Sequence, residues 1–285
     1  MRLKNILAAT AGASLLLTGA AQADDLQALA DEINANLEAA GANYRAEYAE
    51  ILTTADAGEA VAMRFFNDRG NKQLPADFVP GDTRRAWSSA DGNTLTWTRD
   101  AQNTLDVTAA DQSAAIANAM ATWEDQKCSA LGLTGGDIAA ITGVLLGQSG
   151  PTADVMHNGF YPPNLFAATT LAVTVTFTFI NPDNSQTDIN NDGLPDTAFR
   201  EIYYNDGFAW ATNGGSIDIE TVALHEAGHG LSQAHFGTAF MDSGTGKIHF
   251  APRAVMNAAY SGVQHDIKGT DKGGHCSLWG DWPNN

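Results

Sequence analysis

The sequence predicts an α+β fold, and three stretches carry that expectation. Leu171 to Ile180 alternates strictly, with Val173, Val175, Phe177 and Phe179 on one side and Ala172, Thr174, Thr176 and Thr178 on the other, the signature of a β-strand. Thr108-x-x-Asp111 is a capping-box-like opening for a helix with Ala115, Ile116, Ala119, Met120 and Trp123 on one face. Leu26, Leu29, Ile33 and Leu37 recur at three- and four-residue steps and stop near Gly41, which predicts a second helix.

Taken in chain order, residues 1–23 read as a secretory signal peptide. Arg2 and Lys4 precede the almost uncharged apolar run Ile6 to Ala20, and Ala21-Gln22-Ala23 is a small-x-small cleavage site before Asp24-Asp25. The run is too short to span a bilayer comfortably. No other stretch is long and apolar enough to cross a membrane, so a soluble mature protein is expected, secreted or periplasmic after cleavage near Ala23. Residues 24–84 hold the Leu26 helix, strands around Tyr44 to Leu52 and Ala60 to Phe66, and a turn at Asn67-Asp68-Arg69-Gly70. A loop with Pro75, Pro80, Gly81 and Arg84-Arg85 marks a boundary, leaving 24–84 as a propeptide or as part of the mature domain. Residues 85–285 then carry a short strand at Thr94 to Thr98, the Thr108 helix and the alternating strand.

Composition narrows the function. The chain has 285 residues, 44% hydrophobic and 17% charged, which suits a folded protein with a sizeable core. Fifteen Lys and Arg stand against 33 Asp and Glu, a formal charge of -18 that repels nucleic acid and anionic lipid surfaces. Signal removal takes away Arg2 and Lys4 and no acid, so the mature chain is more acidic still. Cys128 and Cys276 are the two cysteines, so a metal site has to be built from His and carboxylates.

The segment that carries chemistry is Ile219 to Gly237. On a helix, His225 and His229 are about 40° apart in azimuth and about 6 Å apart along the axis, so both imidazoles reach one ion. Asp218 is suited to cap that helix. Glu226 lies beside the metal without binding it, where it accepts a proton from a metal-bound water. His235 shares the ion only if the helix ends after His229 and the chain turns back, with Gly230 and Gly237 easing the break. The bare H-E-x-x-H spacing is short enough to arise by chance; the third His makes it specific. Three imidazoles with an open position favour zinc.

His225-Glu226-x-x-His229-x-x-x-x-x-His235, followed by Ala254-Val255-Met256 and Tyr260, resembles the metzincin clan of zinc endopeptidases, in its matrixin-like branch. The resemblance covers about residues 85 to 285 and is strongest from 201 to 260. It extends to Trp87 with Leu95-Thr96-Trp97, to the Trp123 helix and to Glu201-Ile202-Tyr203-Tyr204-Asn205-Asp206 before the active-site helix. It implies a twisted mixed sheet, a long first helix, an active-site helix and a mostly irregular C-terminal subdomain. It also implies Met256 in a tight turn beneath the zinc, Tyr260 in the wall of the substrate pocket, and a substrate extended along an edge strand. Ser232 replaces the usual Gly at the turn after the helix, a substitution that costs about 1 kcal/mol if φ is positive there, and Ser232→Gly is expected to be neutral or stabilising. Ala258 or Ala259 replaces the pocket-wall Pro. No Cys precedes Cys128, so latency through a propeptide thiolate has no residue to supply it. Phe78-Val79-Pro80-Gly81-Asp82 has a faint similarity to the aspartate switch of astacin propeptides, out of register by one.

The expected function is therefore a secreted zinc-dependent endopeptidase, a hydrolase acting on protein or peptide substrates with Glu226 as base. The alternative is an exported calcium- and zinc-stabilised binding or adhesion protein with a non-catalytic metal site; a second rival is a zinc hydrolase acting on a non-peptide bond. Asp188, Asn190, Asp192, the Leu194 carbonyl and Asp196 have the spacing of a calcium loop, with Gly193 at its sharp turn. Phe199 stands where a bidentate Glu is expected, and Glu201 is the available substitute. In an exported chain Cys128 and Cys276 are expected to form a disulfide, contributing roughly 4 to 5 kcal/mol by chain entropy. Trp279 and Trp282 are expected to pack the C-terminal segment.

Overall fold

A computed structural model describes residues 21–54, 73–85, 87–89, 91–241 and 248–284. Residues 1–20 of the signal-peptide reading, the strand expected at Ala60 to Phe66 and the turn at 67–70 lie outside them. The described chain is α+β, with a mixed sheet. In order it forms α1 (Ala21–Ala39), β1 (Tyr44–Thr54), β2 (Thr94–Arg99), α2 (Ala109–Glu124), β3 (Gly132–Asp137), β4 (Val155–Tyr161), β5 (Thr170–Phe179) and β6 (Thr197–Asn205). Two short strands, β7 (Trp210–Ala211) and β8 (Ile217–Asp218), lead into α3 (Ile219–Gly230). The C-terminal part adds β9 (Thr238–Met241), β10 (Ile248–Ala251), β11 (Ala259–Tyr260) and α4 (Gly269–Trp279). Ala21-Gln22-Ala23, read as a cleavage site, forms the start of α1.

Seven strands make one sheet in the order β11-β1-β5-β6-β4-β2-β3. β2 pairs parallel with β3 and β4, and β4 parallel with β6, whereas β5 is antiparallel to both β6 and β1. The alternating sequence of β5 sorts its side chains between two buried faces. All ten of its residues are buried. Val173, Val175, Phe177 and Phe179 join Ile33 of α1, Ile51 and Phe199 in one core, while Leu171 and Ala172 join the larger core beneath α2 and α3. The threonines of β5 are consequently buried rather than facing water, and their hydroxyls need partners: Thr174 meets Glu226 of α3 and Thr176 meets Arg200.

The helices form where their local chemistry starts and stops them. Thr108 caps α2 by accepting from Asp111 N, and the expected stripe Ala115, Ile116, Ala119, Met120 and Trp123 is buried. Trp123 Nε1 donates to Leu224 O at 2.9 Å, fastening α2 to α3. Past α2, Cys128 is bonded to Cys276 in α4, 148 residues away. That disulfide ties the end of one core helix to the C-terminal segment, which is otherwise held by Trp279 Nε1 on Leu231 O and Trp282 Nε1 on Asn93 O. Both tryptophans are buried, so they pack the segment rather than offer a ring surface. Among the described residues no helix is long and apolar enough to cross a membrane.

The loop read as a boundary is woven into the domain. Leu74 N donates to Ser232 O, Asp77 exchanges main-chain bonds with Pro195 and Thr197, and Arg85 forms a fully buried ion pair with Asp154 at 2.7 Å. Asp82, the residue of the faint switch similarity, is bound by the Arg84 guanidinium through three contacts and by the Arg84 backbone N–H through a fourth.

Candidate metal centre

The site begins with the cap of α3. Asp218 Oδ1 accepts from Thr221 N at 2.8 Å and from Thr221 Oγ1, and the same oxygen lies 2.8 Å from His265 Nε2. This fixes where the helix starts, and with it the phase that turns His225, Glu226 and His229 inward, all at most 1% exposed. The helix ends at Gly230. Ser232 then adopts φ +67°, and the reversal carries His235 back onto the two helical histidines. The strained conformation is held by a buried guanidinium: Arg200 Nη1 donates to Ser232 Oγ at 2.9 Å and to Gly230 O at 3.0 Å.

The three Nε2 atoms converge. His225 and His229 are 3.0 Å apart there, and His235 is 3.1 Å from each. His225 Nδ1 faces Val255 O and His229 Nδ1 faces Gln233 O, both at 2.7 Å, so these nitrogens carry the protons and leave Nε2 as lone pairs. His235 Nδ1 lies 3.2 Å from Glu50 Oε2, within reach but not aligned as a hydrogen bond. Burial, with His235 alongside, holds His225 down at about 3, and His229 is pushed well below its usual value by burial and then by the other two rings. Neutral imidazoles with lone pairs turned on one another repel unless a cation sits among them. Two imidazoles on a tetrahedral zinc at about 2.0–2.1 Å stand about 3.4 Å apart, close to the separations observed. The donor set therefore fits zinc. Among the described residues this is the one group of three or more His, Cys, Asp or Glu whose ligand atoms lie within 4.8 Å of one another.

No protein-family model matches the chain, and no curated protein aligns with it. The chemistry of the site therefore rests on its own atoms.

Glu226 follows His225 on the same buried turn of α3, and its carboxylate is not one of the converging ligand groups. Thr174 Oγ1 donates to Glu226 Oε2 at 2.5 Å, while Oε1 is buried without a partner. Burial pushes the Glu226 carboxyl up to about 8, against the lowering effect of Thr174 and with Glu50 adding to the rise; a cation beside it would draw it back down. Such a carboxylate exchanges protons near neutrality.

Met256 lies in a tight turn beneath α3. Its backbone N and that of Val255 are both held by the Asp271 carboxylate, at 3.1 and 3.0 Å. A Cβ placed on Gly228 would run into Met256 Sδ and Trp123 Cζ2, so helix and turn pack at the one residue of the H-E-x-x-H segment without a side chain. Tyr260, half-buried, accepts from Asp218 N through its hydroxyl at 3.2 Å and packs against the same core.

The acidic turn has a different outcome. Asp188 accepts from the Asp192 and Gly193 N–H groups, and Asp192 accepts from Leu194 N and from Asn190 Nδ2. Asp196 is fully buried in an ion pair with Arg84 at 2.6 Å, and Glu201 is buried on Val144 N, Leu145 N and Tyr203 Oη. Glu201 thus does not complete that turn; it belongs to the β6 core. Sequence reasoning missed Glu50, Thr174 and Asp271. Only Thr174 carried a local signal, its place in the polar row of β5, and that row did not show which helix it would face.

Proposed function

We propose that this chain is a zinc-dependent endopeptidase whose ligands are His225, His229 and His235 and whose base is Glu226. The observation that carries the catalytic half of the reading is the partnerless Oε1 of Glu226. A structural metal site needs no buried carboxylate oxygen without a partner on the same helix turn, and burial without a partner costs about 1–3 kcal/mol or more for a charged group. That feature favours an enzyme over an exported binding or adhesion protein with an inert ion.

Zinc, when bound, supplies Lewis acidity toward water and a peptide carbonyl. The chain's own residues do the rest. Oε2 of Glu226 is anchored by Thr174, which leaves Oε1 to accept the proton of an attacking water and later to return it to the leaving amine. The Nδ1 bonds to Val255 O and Gln233 O hold two ligand rings in one tautomer. The turn at Met256 supports the helix from below. Secretion or residence in the periplasm is part of the proposal, supported by the charge pattern of residues 1–23 and by the disulfide. Calcium at the 188–196 turn is a lesser part. Its support is Asp77 beside the turn, with Oδ1 partnerless and its carboxyl raised to about 7 by burial and then by Asp192.

Metal analysis tests the ligand assignment: one zinc per chain is expected, removable by chelator and lost on His229→Ala. Full zinc retention in that variant would refute it.

A further inference from the structure

We propose that β1 is a resident occupant of the groove in which a peptide substrate would pair, and that the folded chain stays latent until this strand is withdrawn. The proposal rests on the peptidase reading above. A peptide read by main-chain hydrogen bonds needs a free strand edge next to the catalytic groups. The strand next to them is β5, whose Thr174 binds Glu226. One edge of β5 is paired with β6. The other is taken by β1, antiparallel, from Tyr44 opposite Phe179 to Thr53 opposite Thr170.

On its far side β1 runs parallel to β11, the segment that follows the Met256 turn, with Thr53 opposite Ala259 and Thr54 opposite Tyr260. Thr53 N donates to Ala258 O at 3.3 Å and Thr54 N to Thr169 O at 2.9 Å. Neighbouring strands lie about 4.8 Å apart, so the space between β5 and β11 admits one chain, and β1 is that chain.

Register decides what β1 brings to the site. Glu50 pairs with Thr174, and directly opposed residues share a face, so Glu50 points toward the side of the sheet that holds Glu226 and the histidines. Its Oε2 is the atom 3.2 Å from His235 Nδ1. Two residues on, Leu52 shares that face and is 2% exposed in the core formed by α3, Val255 and Met256, with Tyr260 packed against it. β1 thus offers the site a paired main chain, a side chain in the apolar pocket beside the turn, and a carboxylate at a ligand ring, as a bound peptide would. α1 packs on β1, and the disulfide joins residues outside both, so α1 and β1 form a unit that can leave while the bridge stays closed. Asp82 is engaged by Arg84 and is not among the groups that converge with the three histidines.

The test places a unique protease site within residues 55–72 of the full chain. After cleavage, three quantities are read: zinc content, hydrolysis of a fluorogenic peptide library, and binding of a synthetic peptide copy of residues 44–54 by fluorescence anisotropy. The expected result is at least tenfold faster hydrolysis after cleavage and release, with zinc retained, and suppression of that gain by the synthetic peptide. Leu52→Asp in the uncut chain should raise activity at unchanged zinc content. Equal activity of the cut and uncut chains, or loss of the fold when the strand is released, would overturn the proposal. If the released protein binds the peptide but hydrolyses nothing, the groove assignment holds and the peptidase reading fails.

Discussion

Thr174 Oγ1 lies 2.5 Å from Oε2 of Glu226, joining the middle of β5 to the histidine-bearing helix α3. The bond decides which carboxylate oxygen is anchored and which is open. Thr174→Val should leave zinc in place and lower kcat by tenfold or more, with KM little changed, because the carboxylate loses its orientation. Thr174→Ser should restore most of the rate. An unimpaired Val variant would show that Glu226 needs no such anchor.

Ser232 couples backbone strain to a buried cation. The sequence alone suggests that Ser232→Gly relieves about 1 kcal/mol at positive φ. The structure opposes this, since the hydroxyl accepts from Arg200, and a hydrogen bond to a charged group contributes about 1.5–3 kcal/mol. For Gly the lost bond outweighs the relieved strain by about 0.5–2 kcal/mol, whereas Ser232→Ala keeps the strain and loses the bond. Chemical denaturation should therefore rank wild type above Gly, and both above Ala. A Gly variant clearly more stable than wild type would contradict this weighting.

Gly228 touches Met256 and Trp123 where a methyl group has no room. Overpacking of this kind costs about 1–3 kcal/mol. Gly228→Ala should lower the thermal midpoint and weaken zinc affinity by pushing the turn away from α3. A variant with wild-type affinity and midpoint would show that the turn does not support the helix.

Asp77 makes stability depend on pH. In the folded chain its carboxyl is raised to about 7, first by burial and then by Asp192, whereas in the unfolded chain it ionises near 3.8. Between those values the folded state binds more protons, so this residue's contribution makes stability fall as pH rises from about 4 to about 7 and then level off. Asp77→Asn should flatten that part of the profile, measured as thermal midpoint against pH. If the turn at 188–196 takes calcium, adding it above pH 7 should raise the wild-type midpoint and leave Asp192→Asn unmoved.

How much of this was legible follows from how each feature is encoded. His225, Glu226 and His229 share one helix, so spacing alone sets their faces, whereas the return of His235 depends on the reversal at Ser232 that Arg200 holds. The cap at Asp218 and the stripe of α2 are local too. Glu50, Thr174 and Asp271 reach the site only through sheet register and a distant helix, and no local pattern states those pairings. α4 was invisible for another reason. Gly269, Gly273 and Gly274 give it poor helix propensity, and it stands on the Cys128 bridge and on Trp279 packing instead. The polar row of β5 was read correctly as one side of a strand, but covered on both faces it is a hydrogen-bonding surface for α3 and Arg200.

The central claim is that Glu226 is the base beside a zinc held by three histidines. The most direct measurement compares peptide-bond hydrolysis by wild type and Glu226→Ala, both analysed for zinc and both assayed after release of residues 24–54. The expected result is one zinc in each protein, chelator-sensitive hydrolysis by wild type, and a loss of at least a thousandfold in the variant, as for removal of a base that also returns the proton. Zinc-loaded Glu226→Ala that cleaves peptides at the wild-type rate would contradict the claim.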